Sequence, residues 1–361
     1  MKNATWRRVR QRVEGVLSRF ARPYTRLSVR SDESGWVLDH EAREIAALAR
    51  RLGIAAAVDR GLDPRARQCW HFTSQFALLT PAWHPEQRVS VDLLHGEPSA
   101  EPGFAQIHKN LKARHTAIAR LRVSHSRMEA LALESGIDAA KVHRIPLGVR
   151  LEYFPLQTAG SRSEARARLG LPADAVVVGS FQKDGVGWGE GAEPKLVKGP
   201  DVLLKALAIL KVKVAGLHVL LTGPARGYVR RGLEALQIPV RHVEVPSYSE
   251  IGRCFAALDT YIVSSRDEGG PKAVLEAMAS GIPLVTTRVG QAADLVRHLQ
   301  NGWMTEPGDA EGLAHWTEQA LSDAAARAIA QRAGRATAEA NSYEAQQPQW
   351  AAFFRGYVEG Q

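Results

Sequence analysis

With 361 residues the chain is long enough for two ordinary domains, each able to bury its own core. Its 45% hydrophobic content is that of a globular protein, and no run of 18 apolar residues is available to span a bilayer. Cys69 and Cys254 lie in different halves, which excludes a disulfide framework and a cysteine metal site and suits a reducing cytoplasm. The net charge of +9 is uneven, because residues 1–30 carry nine Lys and Arg against Glu14 alone and the remainder is close to neutral.

The first predicted element spans residues 1–22. Trp6, Val9, Val13, Val16, Leu17 and Phe20 recur at helical spacing among the arginines, giving a basic amphipathic helix that Pro23 ends. Such a helix can lie on an anionic membrane surface, where each basic side chain adds about 1 kcal/mol. A self-packed extension is the plainer reading. The aromatics form one stripe and do not interleave with the arginines, so no stacking groove for nucleic acid is expected. No uncharged apolar segment follows the arginines, so the segment does not read as a signal peptide, and the expected location is cytoplasmic, at the inner face of a membrane.

Strand-like runs then alternate with helix-length amphipathic runs, the signature of parallel α/β units. In the first half the strands fall near Arg26–Val29, Ile54–Ala57, Cys69–Phe72, Val89–Leu94, Leu121–Ser124 and Val142–Pro146. Ser34-Gly35-Trp36 precedes a predicted helix at Asp39–Leu52, and a glycine turn there lets a substrate approach the backbone. His71 and His95 end consecutive strands. Each either points into a cleft toward a bound substrate, or caps its strand on a backbone group. Gly96 allows close approach and favours His95. The stretch Leu151–Arg168, with Pro155, Gly160 and alternating charges, reads as a linker, dividing the chain at 23–155 and 156–342.

In the second half strands are expected near Ala175–Phe181, His218–Thr222, His242–Val245, Thr260–Val263 and Pro283–Thr287. Two doubly wound domains facing a cleft follow, with ligands expected where strand order reverses. The loop Phe181–Gly199 is long for such a connection, and its alternating glycines do not make a dinucleotide fingerprint. Asp184, Glu190 and Glu193 in it lack calcium-loop spacing and are read as solvated charges, with no metal site expected. Lys198-Gly199-Pro200 opens a helix, placing Lys198 beside a helix N-terminus. Ser264–Gly290 is the most informative segment. Pro271 suits the first helical position, Gly281 and Pro283 close the helix, and the N–H groups near Gly269, Gly270 and Lys272 make an anion site. Glu268 before that site and Glu276 within the helix can accept hydrogen bonds from sugar or ribose hydroxyls on either side of a phosphate.

This segment resembles the family 4 retaining glycosyltransferases, whose nucleotide-sugar site carries Glu, seven residues, Glu, within an LEAMA-G-P-V run. Here these are Glu268, Glu276, Leu275 to Ala279, Gly281, Pro283 and Val285. The likeness covers roughly residues 120–357. Val123 to Met128 and the run Lys141–Val149 (KVHRIPLGV) are similar to the end of that family's first domain. Asn301-Gly302 and Pro307-Gly308-Asp309 match a downstream loop. The aromatic segment from Tyr343 resembles the C-terminal helix (here 343–361) that folds back on the first domain. The resemblance implies a GT-B architecture, with 23–155 as the acceptor-side domain and 156–342 as the donor domain.

It also implies retaining transfer from a nucleoside-diphosphate sugar to a glycan or lipid-linked acceptor, as in polysaccharide biosynthesis, without a metal or other cofactor. Glu268, Lys198 and His95 would be catalytic. Glu276, Gly269, Gly270, Lys272, Lys183 and Tyr248 would bind the donor, with the nucleobase near Pro246-Ser247-Tyr248. Gly35, Trp36 and His71 would face the acceptor. In that family an arginine and a lysine hold the diphosphate. Lys198 matches the lysine, but the arginine position is Ser180, with Lys183 as a substitute. Alternatives are a sugar-nucleotide hydrolase or epimerase of the same architecture, or an inactive subunit that docks on a membrane or partner.

Overall fold

A computed structural model describes residues 24–359 apart from 25, 32–36, 59–67, 81–82 and 84–86. The basic segment 1–22 and the pair Gly35-Trp36 lie outside the described residues. The first unit is a six-stranded sheet, all parallel, in the order β2-β1-β3-β4-β5-β6. Its strands are β1 (Arg26–Arg30), β2 (Ala55–Val58), β3 (Cys69–Phe72), β4 (Arg88–Leu93), β5 (Ile118–Val123) and β6 (Val142–Arg144). They are connected through α1 (Val37–Arg51), α2 (Pro102–Arg114) and α3 (Ser126–Glu134). The second unit repeats the plan with order β12-β11-β10-β7-β8-β9. Its strands are β7 (Val176–Ser180), β8 (Leu217–Thr222), β9 (Val240–Val243), β10 (Thr260–Val263), β11 (Leu284–Thr287) and β12 (Trp303–Thr305). Helices α4 (Ala159–Leu169), α5 (Pro200–Lys213), α6 (Gly227–Ala235) and α7 (Lys272–Ala279) lie among them, and α8 (Ala310–Ser322), α9 (Ala324–Ala340) and α10 (Gln347–Phe354) follow β12. No helix among the described residues is long and apolar enough to cross a membrane.

Strand order reverses between β1 and β3 in the first sheet and between β7 and β10 in the second, so each sheet opens a crevice at the carboxyl ends of those strands. β10 is buried at all four positions of its Thr-Tyr-Ile-Val run, as a central parallel strand covered on both faces requires. β12 is too short, at three residues, to stand out in the sequence, and it pairs with β11 to complete the sheet.

The stretch expected as a linker is helical in its second half. Thr158 and Ser161 form a reciprocal cap, Gly170 ends α4 in the left-handed conformation, and Arg166 is buried against Asp259 and the Ala175 and Ala257 carbonyls. The alternating charges that resembled a linker fall on two faces of this helix, Arg162 and Arg166 turned to Asp259 and Glu164 and Arg168 exposed. After α9 the chain returns to the first sheet. Trp350, Phe353, Phe354 and Tyr357 are buried in one core with Leu27, Val29, Ile45 and Cys69. Each aromatic there contributes roughly 2–3 kcal/mol through apolar burial.

Candidate functional site

The loops after β7 and β10 meet at the reversal point of the second sheet. Gly199 holds them together. It is in the left-handed conformation (φ +63°), and a Cβ there would sit 1.9 Å from the Ser264 carbonyl oxygen. Only glycine lets the two loops touch at this point. Gln182 donates to the Lys198 carbonyl at 2.7 Å, and Pro200 starts α5 directly afterwards. Lys198 Nζ is thereby brought 2.5 Å from Glu268 Oε2, while the Ser265 hydroxyl donates to Glu268 Oε1 at 2.9 Å. Both oxygens of Glu268 are thus held by partners from the two loops.

Two more lysines gather at this pair. Partial loss of surrounding water, and then the charge of Lys198, push the ammoniums of half-buried Lys183 and rim-exposed Lys195 below the usual lysine range. Lys183 Nζ lies 4.3 Å above the Trp188 ring. Three mutually repelling cations opposite one carboxylate form a place where a polyanion binds favourably. The connecting loop that carries them is a pinned hairpin. Val186 N–H donates to Glu193 O at 2.9 Å, Lys195 N–H to Asp184 O at 2.8 Å, and Gly227 N–H to Glu190 O at 2.7 Å. Its glycines divide by task. A Cβ on Gly185 or Gly191 would strike the Ala225 backbone at 2.3 Å, whereas Gly187 and Gly189 have open space.

Asp184, read from sequence as solvated, is instead fully buried. It accepts from Arg226 at 3.0 and 2.9 Å, and burial is the reason its carboxyl rises despite that partner. Arg226 also donates to the carbonyls of Ser180 and Thr222. It is spent on holding the hairpin, so it does not supply the guanidinium missing at position 180.

From the first domain, the loop after β4 faces this cluster. Burial, followed by the charge of Lys198 and opposed by Glu268, lowers His95 to about 4, so the ring is neutral near pH 7. Gly96 does not open the backbone to a substrate. It adopts φ +102° and admits the Phe104 ring, which a Cβ would meet at 2.2 Å, and Phe104 in turn packs edge-on against His95 with centroids 5.2 Å apart. The domains touch here. Ser124 Oγ lies 2.8 Å from the Leu94 carbonyl and 2.9 Å from that of Gly269, and Gln291 Oε1 accepts from Leu147 N–H at 2.8 Å. Gly269 and Gly270 are pressed against Leu94 and Leu147, which only residues without a side chain allow.

The start of α7 differs from the sequence reading in two respects. Pro271 is the cap residue and not the first helical one. Lys272 is buried, and its ammonium donates to Glu41 Oε1 at 2.9 Å, the Gly148 carbonyl at 2.9 Å and the Tyr343 hydroxyl at 2.7 Å. All three donors are occupied by first-domain, crossing and C-terminal groups, so Lys272 is not a phosphate ligand in this arrangement. Glu276 lies one turn further on, buried, and accepts a hydrogen bond from the Tyr248 hydroxyl. Burial raises its carboxyl above the ordinary range, and Lys272 and Tyr248 oppose that rise. Tyr248 itself stands on a short helical turn after β9, its ring 4.2 Å from that of His40 on α1.

His71 does not reach the cleft. It is fully buried, with Nδ1 2.9 Å from Ser90 Oγ and Nε2 3.3 Å from Asp92, and Trp350 and Phe353 pack edge-on against it. The returning α10 covers the position that the sequence assigned to the acceptor. Lys195 was not singled out from sequence. Its spacing three residues before Lys198 was the available signal, since the one-turn helix Leu196–Lys198 carries both lysines into the rim.

Residues 193–337 match the family model described as glycosyl transferases group 1. The chain is 31% identical over 239 residues to D-inositol 3-phosphate glycosyltransferase of Saccharomonospora viridis, covering 61% of this chain and 52% of that protein. It is 33% identical over 162 residues to the lipopolysaccharide core biosynthesis glycosyltransferase LpsE of Rhizobium meliloti, covering 44% and 43%. The chain spans about half the length of the curated relatives it matches. Anabaena HepE, solved in complex with UDP-glucose, superposes with a TM-score of 0.72 at 19% identity over 92% of this chain and 99% of that one. The two facing parallel sheets are therefore a GT-B fold.

Proposed function

We propose that the chain is a GT-B glycosyltransferase of the family 4 type. The second domain holds a nucleoside-diphosphate sugar, and the first presents the hydroxyl of a glycan or lipid-linked acceptor, as in polysaccharide biosynthesis. The observation that carries this reading is the Lys198–Glu268 pair at the reversal of the second sheet, flanked by Lys183 and Lys195 and facing His95. A donor diphosphate replaces Glu268 as counter-ion of the lysines. Glu268 then accepts hydrogen bonds from sugar hydroxyls, and Glu276 serves the ribose. Gly269 and Gly270 line the backbone approach to the donor, and Tyr248 adjoins the nucleoside.

In this mechanism the acceptor hydroxyl attacks the anomeric carbon from the face that the diphosphate leaves, so configuration is retained. The acceptor proton passes to the departing diphosphate, and the bond to that phosphate oxygen breaks. The ammoniums stabilise the developing charge without a metal ion, and neutral His95 orients the transferred sugar. Residues 1–22 are proposed to hold the chain on an anionic membrane surface, and Gly35 and Trp36 to contribute to the acceptor side. Support comes from the relatives named as glycosyltransferases and from the UDP-glucose complex of HepE. Turnover of UDP-, GDP- and ADP-sugars by wild type and Glu268→Ala tests the proposal. Loss of Glu268 is expected to lower kcat at least a hundredfold, on the order of 3 kcal/mol of transition-state stabilisation. Equal turnover by the two proteins refutes it.

A further inference from the structure

Between the domains lies a buried chain of charges that the transfer mechanism does not use. It begins in the first sheet, where fully buried Arg122 donates to Asp92 Oδ2 at 3.1 Å, to Glu41 Oε2 at 3.1 Å from two of its nitrogens, and to the Ile145 and Pro146 carbonyls. The other oxygen of Glu41 accepts from Lys272 at 2.9 Å and from the Tyr343 hydroxyl. Lys272 belongs to the second domain, at the first turn of α7, so the Glu41–Lys272 bond crosses the cleft. Burial alone would raise Glu41, yet Lys272 and Arg122 hold it down at about 2, a fully ionised carboxylate.

Lys272 and Glu276 are four residues apart and share one face of α7, as neighbours on a helix do. The ammonium also lies 5.5 Å from the centroid of the Tyr248 ring, whose hydroxyl donates to Glu276. The same Tyr248 ring packs on His40, the residue preceding Glu41 on α1. Both groups that offset the burial of Glu276 are therefore gripped by one turn of a helix in the opposite domain. We infer that Glu41 is a positioning residue for the donor site, acting across the cleft by setting how much of the Lys272 charge reaches Glu276. This rests on the reading of Glu276 as a donor ligand.

The groups facing Glu276 are few. Tyr248 comes from the turn after β9, Lys272 from its own helix, and Tyr261 from β10. Glu41 and His40 act from α1 through Lys272 and Tyr248. From α9, Arg335 donates to the Ala279 carbonyl at the far end of α7. An ionised Glu276 accepts from ribose hydroxyls more strongly than a protonated one, so nucleotide affinity rises with pH through the titration of this carboxyl. Neutralising Glu41 removes the carboxylate paired with Lys272, so the ammonium acts on Glu276 without that opposing charge, moving the rise to lower pH. Removing the Lys272 charge moves it to higher pH. A purely structural role weakens binding in both variants and moves neither profile.

The experiment is calorimetric titration of the full chain with UDP, GDP and ADP between pH 4.5 and 8, for wild type, Glu41→Gln, Lys272→Met and Glu276→Gln. Ionisation of the nucleotide is common to all four proteins and cancels between them. The expected result is a midpoint about one pH unit lower in Glu41→Gln and about one unit higher in Lys272→Met, with the step absent in Glu276→Gln. Below the wild-type midpoint this makes Glu41→Gln bind roughly tenfold more tightly than wild type. Midpoints that coincide with wild type, or that shift in the same direction in both variants, overturn the inference. A Glu276→Gln profile identical to wild type, or no binding of any of the three nucleotides, overturns the donor-site reading itself.

Discussion

Glu268 and Lys198 show how much a single contact decides. Each alone is an ordinary charge, but the 2.5 Å approach between them joins the loops that follow two strands whose paired residues, such as Val178 and Thr260, are 82 positions apart in the chain. The neighbouring lysines extend this logic. Lys195 feels Lys198, Lys183 and Glu268 together, and also Glu101 of the first domain, so it stands where the two domains meet. Lys195→Ala is expected to weaken UDP binding about tenfold, the value of one charge-assisted hydrogen bond to phosphate, with Lys198→Ala weakening it further. Unchanged affinity in Lys195→Ala removes Lys195 from the diphosphate site. Lys272 carries the opposite lesson. Its place in the first turn of α7 suggested a phosphate ligand, and a carboxylate 231 residues away captured it.

At the scale of elements, the rim that carries Lys198 and Glu268 depends on turns where no side chain fits. Gly199 combines a left-handed backbone with a contact that a Cβ would bring to 1.9 Å, so Gly199→Ala must separate the loops after β7 and β10. The expected cost is at least 1–3 kcal/mol in urea unfolding, with a fall in kcat from the displaced Lys198. An alanine variant with wild-type stability and kcat shows that the two loops are not coupled through this residue. The hairpin between β7 and α5 is built by the same means. It is long for such a connection, yet Arg226 and the Ala225 backbone fix its base while Gly187-Trp188-Gly189 form its exposed tip. The helix α4 was missed because its charged residues masked the local Thr158–Ser161 cap and a buried Arg166, whose partner Asp259 lies outside the segment.

For the whole molecule, the charge asymmetry remains the strongest signal outside the cleft. Deleting residues 1–22 removes seven basic side chains. At about 1 kcal/mol each near an anionic surface, the deletion is expected to abolish flotation with phosphatidylserine vesicles, whereas wild type floats and is released by salt. Equal flotation of both proteins excludes this segment as the anchor.

The alternation of apolar strands with amphipathic helices was enough to set two parallel sheets, because local hydrophobic periodicity decides which residues leave water. The spacing of Glu268 and Glu276 was legible for the same reason, since a strand end, a turn and one helix fix it locally. Charge partnership was not legible. Lys272 with Glu41, Arg226 with Asp184, and His71 beneath Trp350 each join segments at least 42 residues apart, and Tyr343 reaches back 302 residues to Glu41. A buried charge takes the partner that the fold places nearest, and no periodicity along the chain encodes that distance. Sequence by itself thus determined the architecture and the two glutamates. Only the tertiary structure decided which lysines gather at Glu268 and which one ties the domains together.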